Sequence, residues 1–272
     1  MHTDVPALVL LAEQLAREAG DLVRTRPETV AVAATKSSAA DVVTAMDMAA
    51  EDLLRRRIAQ ARPLDGILGE EHGHEPGTSG VTWVLDPIDG TVNYLYGIPA
   101  YAVSVAAVTG GLDPASWTVL AGCVHAVVDG RTWTAGQGHG AFLDGRRLER
   151  REDRGLDGAL LGTGFGYTAD RRRHQAEIVA ALLPRVRDIR RMGSAAMDLC
   201  TVGSGGLDVY YERGLNPWDM AAGMLVASEA GAEVIGLRGE GPGLSMTVAG
   251  PRTATRELAE FLAARDADRD AG

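Results

Sequence analysis

The chain has 272 residues, 46% hydrophobic and 24% charged, which is enough for a sizeable core and too apolar for global disorder. Its 27 basic and 37 acidic residues leave a net charge of −10, which argues against nucleic acid as the primary ligand. No apolar run is long enough to cross a bilayer, and no signal-peptide pattern opens the chain, so a cytoplasmic location is expected.

In chain order, Leu8, Leu11, Ala12, Leu15, Ala19, Leu22 and Val23 repeat at helical spacing. A second helix is expected from Thr44 to Ala61, with Thr44 as its cap and Met46, Ala49, Leu53 and Ile58 as its apolar face. Gly66–Gly69 and Val81–Leu85 read as buried strands. Between them His72 to Gly80 reads as a loop, with His72 and His74 solvated. Strands are expected at Ala102–Val108, Val119–Val128 and Arg131–Ala135, with Asp129-Gly130 as a tight turn. Cys123 and Cys200 have no CxxC partner and read as reduced core thiols.

Beyond Arg151, strand and helix alternate. The expected order is strand Ala159–Thr163, helix Asp170–Leu183, helix Ser194–Val202, strand Leu207–Tyr211 and helix Pro217–Ala230. Strands Val234–Gly236 and Leu244–Ala249 and a helix Thr253–Ala264 close the chain. The pattern predicts a mixed α/β fold whose halves, 1–150 and 151–272, pack as one body.

The sharpest chemical signal is the run from Trp83 to Thr91, where an apolar strand ends on Asp86 and a second carboxylate, Asp89, follows before Gly90 and Thr91. Taken alone it fits a turn. Yet Val92 to Leu95 do not alternate as a returning strand, and paired carboxylates at a strand end suit a hard divalent cation. Gly90 and Thr91 would then turn backbone N–H groups toward a phosphate. The EF-hand spacing fails, and the haloacid-dehalogenase Asp-x-Asp-Gly-Thr, one residue shorter and without its later Gly-Asp-x-x-x-Asp here, stays as a runner-up. Glu70-Glu71, Asp219 behind Asn216-Pro217-Trp218, and the stretch from Lys36 to Asp47 with Asp41 are each weak alone.

Together, Lys36, Asp41 to Asp47, Gly69 to Glu71, Trp83 to Thr91, Gly193 to Ala196, Tyr211-Glu212 and Trp218 to Gly231 resemble the inositol monophosphatase family in order and spacing. The resemblance implies a layered αβαβα sandwich, shared more distantly with fructose bisphosphatase. It implies Mg²⁺-dependent hydrolysis of a small phosphate monoester with two or three Mg²⁺ per site, inhibition by Li⁺, and a homodimer. By position, Glu70, Asp86 and the Ile88 carbonyl would hold one ion. Asp86, Asp89 and Asp219 would hold a second, and Glu70 would reach a third through water. Thr91 with Asp47 would orient the attacking water, and Gly90 and Thr91 would bind phosphate. Asp89, Gly193, Ser194, Ala195 and Glu212 would face the alcohol, with Lys36 as an accessory cation. The expected substrate is inositol 1-phosphate. Histidinol phosphate and other sugar or nucleotide phosphates are the rival substrates, and a non-catalytic binding protein is the rival class.

Overall fold

The computed structural model describes residues 4–25, 32–35, 42–149 and 152–269. Helix α1 (Val5–Arg24) leads to a short pair, β1 (Val32–Thr35) and β2 (Val42–Thr44), and then to α2 (Ala45–Ala61). Strands β3 (Gly66–Gly69), β4 (Gly73–Glu75) and β5 (Thr82–Asp89) follow, then the short α3 (Thr91–Tyr96). Next come β6 (Ala102–Thr109), β7 (Thr118–Ala126), β8 (Thr132–Gly136), β9 (Gly140–Leu143) and β10 (Arg146–Arg147). The remaining elements are β11 (Leu160–Thr163), α4 (Ala169–Leu182), β12 (Asp188–Arg190), α5 (Ala195–Ser204), β13 (Val209–Glu212), α6 (Pro217–Glu229), β14 (Glu233–Ile235), β15 (Thr247–Gly250) and α7 (Arg252–Ala263).

These elements stack as five layers, the expected αβαβα sandwich. One sheet has the order β10-β9-β8-β7-β6-β5-β3-β4, and the other β12-β11-β13-β15-β14. Helices α1 and α2 cover the outer face of the large sheet through Leu8, Leu15, Leu54, Ile58, Trp83 and Leu85. Helices α5 and α6 lie between the sheets. Cys200, Ala222 and Val226 meet the large sheet at Val84 and Val124, while Leu199 and Met220 meet Tyr210 and Ala249 on the small one. Helices α4 and α7 close the far side with Ile178, Leu182, Leu258 and Phe261. Ala222 approaches β7 so closely that a Cβ on Gly122 would stand 2.9 Å from its Cα. Cys123 and Cys200 are free and buried in this interior.

Helix α2 departs from the expected face. Its buried residues are Asp47, Ala50, Glu51, Leu54 and Ile58, whereas Ala49 is exposed and Met46 and Leu53 are half-buried. The helix is turned so that two acids point inward, which a count of apolar residues alone scores as solvent-facing. Other differences are local. Residues 73–75 of the expected loop pair with β3 as β4, which covers an edge that would otherwise expose its ladder groups. The turn at Asp129-Gly130 is longer than two residues because the Val127 N–H is held by the Tyr101 carbonyl at 3.2 Å. The last strand starts only at Thr247, since Gly243 N–H bonds the Met246 carbonyl and Gly214 N–H bonds that of Leu244. Strands β1, β2, β9, β10 and β12 and the short helix α3 have no counterpart in the expected list. Lys36 and Asp41 lie outside the described residues.

Candidate active site

The site begins with an irregularity in β5. Asp86 pairs with Ser104 of β6, but the next pair is Asp89 with Ala102, so the β5 side carries one extra residue. Pro87 has no N–H to give to the ladder, and a bulge at that point bends the strand. Asp86 and Asp89 therefore reach toward one place although three residues separate them. Gly90 then takes φ 100°, where a Cβ would come within 2.9 Å of the Ala100 carbonyl oxygen and 3.1 Å of the Gly193 carbonyl oxygen. Glycine is required there both for the left-handed conformation and for the close approach. Helix α3 follows directly, so the Asp-Gly dipeptide opens a helix and not a hairpin.

Asp47 and Asp219 each divide their two oxygens. At α2, Asp47 Oδ2 accepts the Thr44 N–H at 2.8 Å and the Thr44 hydroxyl at 2.5 Å, a capping box. Its Oδ1 lies 3.1 Å from the Thr91 hydroxyl, which is also 3.1 Å from the Ile88 carbonyl oxygen. At α6, Asp219 Oδ2 accepts the Asn216 N–H at 2.6 Å. In both cases the helix start fixes one oxygen and leaves the other for the cavity side.

Oxygens of Asp86, Asp89 and Asp219 all lie within 4.8 Å of one another. Asp86 Oδ1 is buried without a hydrogen-bond partner. A buried carboxylate oxygen without a donor is costly, and a hard cation among three carboxylates would satisfy it. Burial pushes the Asp86 carboxyl well above the usual range, and the charges of Glu70, Asp89 and Asp219 add to this. Asp219 is raised in the same way by burial and by Glu70 and Asp89. Asp89 is raised to about 6 by burial, against the pull of its hydrogen bonds from Ser194 and Ala196. Such carboxyls in a cleft are suited to holding a divalent cation.

The second wall comes from the small sheet and the middle helices. Ser194 caps α5, and its hydroxyl donates to Asp89 Oδ2 at 2.5 Å, joined by the Ala196 N–H at 2.7 Å. The Ser194 hydroxyl is thus committed to Asp89. Asn93 of α3 ties this turn down by donating to the Met192 carbonyl at 2.8 Å. Glu212, at the end of β13, accepts the Tyr210 hydroxyl at 2.6 Å. Burial raises the Glu212 carboxyl to about 7, opposed by that hydroxyl and by Arg191. Asp198 of α5, also buried, rises to about 9 by burial and the charges of Glu212 and Asp89.

A cavity of about 650 Å³ separates these walls. Glu70, Asp86, Ile88, Asp89, Gly90 and Thr91 line it on one side. Gly193, Ser194, Ala195, Glu212 and Asp219 also line it, and Asp47 stands behind Thr91. Phe165 and Tyr167, from the β11–α4 connection, and Arg171, in the first turn of α4, also line it. Nothing in the spacing of Phe165 and Tyr167 separates them from an ordinary loop. Glu51 was also missed. Its sequence signal was available, an acid four residues beyond Asp47 on a helix face that Ala50, Leu54 and Ile58 bury.

Comparison with known proteins bears on the family and the fold. The profile of the inositol monophosphatase family matches residues 6–268. The inositol-1-monophosphatase SuhB of Mycobacterium tuberculosis is 47% identical over 270 residues, covering 92% of this chain and 91% of that one. A solved structure titled Mycobacterium tuberculosis SuhB superposes with a TM-score of 0.80 at 45% identity, covering 97% and 98% of the two chains. A Xylella fastidiosa protein named Nus factor SuhB is 40% identical over 205 residues, with 75% and 72% covered. The chain belongs to the inositol monophosphatase family. Fold and family make it a phosphatase by class, with an acidic cluster that could hold a metal ion. Among the described residues, no helix is long and apolar enough to cross a membrane.

Proposed function

We propose that the chain hydrolyses a small polyol phosphate, inositol 1-phosphate first among the candidates, with Mg²⁺ and by direct attack of water. The observation that carries this reading is the convergence of Asp86, Asp89 and Asp219 beside Thr91, itself bonded to Asp47, on one cavity. Glu70, Asp86 and the Ile88 carbonyl would hold one ion, and Asp86, Asp89 and Asp219 a second. When bound, Mg²⁺ lowers the pKa of its water and neutralises charge on the phosphate.

The protein's own residues do the rest. Thr91 holds the attacking water, takes up one of its protons and passes its own hydroxyl proton to Asp47 Oδ1. Burial raises the Asp47 carboxyl, which makes it a better proton acceptor at neutral pH. The backbone N–H groups of Gly90 and Thr91 receive the phosphate, and Glu212 with the turn at Gly193 and Ala195 faces the alcohol. No Ser–His or Cys–His pair among the described residues lines the cavity as a covalent nucleophile.

A phosphate-release assay with Mg²⁺ over inositol, histidinol and nucleotide phosphates tests the substrate. Thr91→Ala is expected to lower kcat by about a hundredfold or more with little change in KM, because the hydroxyl acts on the water and not on bound phosphate. An unchanged kcat would leave Thr91 as the opening residue of α3 only. Glu212→Gln is expected to reduce kcat/KM for inositol 1-phosphate by about 1.5–3 kcal/mol, and hydrolysis of a plain aryl phosphate much less. Equal losses on both would remove Glu212 from the alcohol side.

A further inference from the structure

We infer that Glu51 is a positioning residue for Glu70, holding the turn that aims this carboxylate into the cavity. The inference rests on the proposed reading of Glu70 as a metal ligand. Glu51 lies on α2 and its side chain is fully buried. Its Oε2 accepts the Glu71 N–H at 2.7 Å, and its Oε1 accepts the His72 N–H at 3.1 Å. The His72 ring Nδ1 stands 3.2 Å from the same Oε1. Arg55 donates to Glu51 through Nε at 2.8 Å and to the Gly73 carbonyl through Nη2 at 2.6 Å.

The turn from Gly69 to Gly73 thus wraps one carboxylate. Gly69 has no side chain where a Cβ would collide with that group. The two N–H groups that follow Glu70 are fixed by Glu51, and the Glu70 N–H by the Leu85 carbonyl at 3.3 Å. Little backbone freedom remains at Glu70 itself.

A role in stability alone explains this poorly. A buried ion pair costs desolvation that apolar residues of similar volume avoid. Here both carboxylate oxygens receive backbone N–H groups of the segment that carries a candidate ligand. Groups that orient metal ligands from behind typically change metal affinity by about 10–100-fold when replaced. Helix α2 is then a shared fixture. Asp47 steadies Thr91, and Glu51, one turn later on the same buried face, steadies Glu70.

The test is Mn²⁺ binding to the full chain without substrate, followed by the electron paramagnetic resonance signal of free Mn²⁺. Glu51→Gln keeps the shape but replaces one acceptor oxygen with a donor facing donors. It should weaken the tighter Mn²⁺ site about tenfold, and raise the half-saturating Mg²⁺ in turnover similarly while kcat at saturating Mg²⁺ stays within about threefold. Asp65→Asn is the structural control. That buried carboxylate binds Trp83 Nε1 and Ser79 Oγ at 3.0 and 2.6 Å, away from the Glu70 turn. It should lower the melting temperature and leave Mn²⁺ affinity unchanged. Glu70→Gln supplies the reference. If it weakens Mn²⁺ binding and Glu51→Gln does not, the positioning role is overturned and the ligand reading stands. If Glu70→Gln itself binds Mn²⁺ like the wild type, the ligand reading fails and takes the inference with it. Should Glu51→Gln not fold, Glu51→Asp, which withdraws the carboxylate by one methylene, must show the same direction of loss; wild-type affinity in that variant overturns the inference.

Discussion

Asp86→Asn is expected to reduce turnover by about a thousandfold or more while the protein folds normally. Asp86 is the residue shared by both proposed ion sites, and the loss of its charge removes the electrostatic stabilisation that phosphate hydrolysis depends on. The fold does not need the charge. The Asp86 carboxyl is buried, one oxygen lacks a donor, and its neighbours Glu70, Asp89 and Asp219 repel it. The variant should therefore melt at or above the wild-type temperature when both are metal-free, and it should lose most of the rise that Mg²⁺ gives the wild type. Near-normal turnover in a folded Asp86→Asn protein would end the two-ion assignment.

The second large effect concerns pH. Asp86 and Asp219 are held well above 3.8 in the folded chain, and Asp89 at about 6. The folded metal-free protein therefore binds more protons than the unfolded chain between about pH 4 and 6, and beyond for the other two groups. With the unfolded state binding fewer protons, stability falls as pH rises through that window. Asp89 alone accounts for about 3 kcal/mol, on the order of 10 °C in melting temperature for a chain of this size. Melting curves in EDTA and in saturating Mg²⁺ at each pH isolate the effect, because carboxylates elsewhere contribute to both. The gap between the two curves should widen from pH 5 to 7.5 and be much narrower in Asp86→Asn. A gap that stays constant with pH would mean that Mg²⁺ does not bind at these carboxylates.

The legible part of the site was the part written on strand and helix ends. The Asp86–Thr91 run shows its chemistry because an apolar strand stops on charges, and the residues after it lack the alternation of a returning strand. Asp47 and Asp219 look like plain capping acids, and the structure shows that they are caps as well, with one oxygen each. Glu51 carries a positional signal that a count of apolar residues overrides. Apolar periodicity assigns acids to solvent, and the true buried face of α2 includes two of them. Asp198 was equally hidden, since its charge meets that of Glu212 only where α5 packs against β13. Alternation of elements gave the mixed α/β class, and the layer order came from the family resemblance. The strand pairs β1–β2 and β3–β4 came from neither, because strands of three or four residues carry too little pattern to register.

The cavity lies on a seam, and the two walls are of different descent within one chain. Glu70, Asp86, Asp89 and Thr91 hang from the large sheet, whereas Phe165, Tyr167 and Glu212 hang from the small one. On the proposed reading, most of the ion-holding residues would hang from the large sheet and the alcohol-facing Glu212 from the small one. The β11–α4 connection is joined to the ladder at one end only and is exposed at Tyr167 and Thr168. It can lengthen or change composition without disturbing the β5 bulge. On that reading, a search for a new alcohol would vary residues 165–168 and 212, which line the cavity away from β5, and leave the β5 bulge untouched.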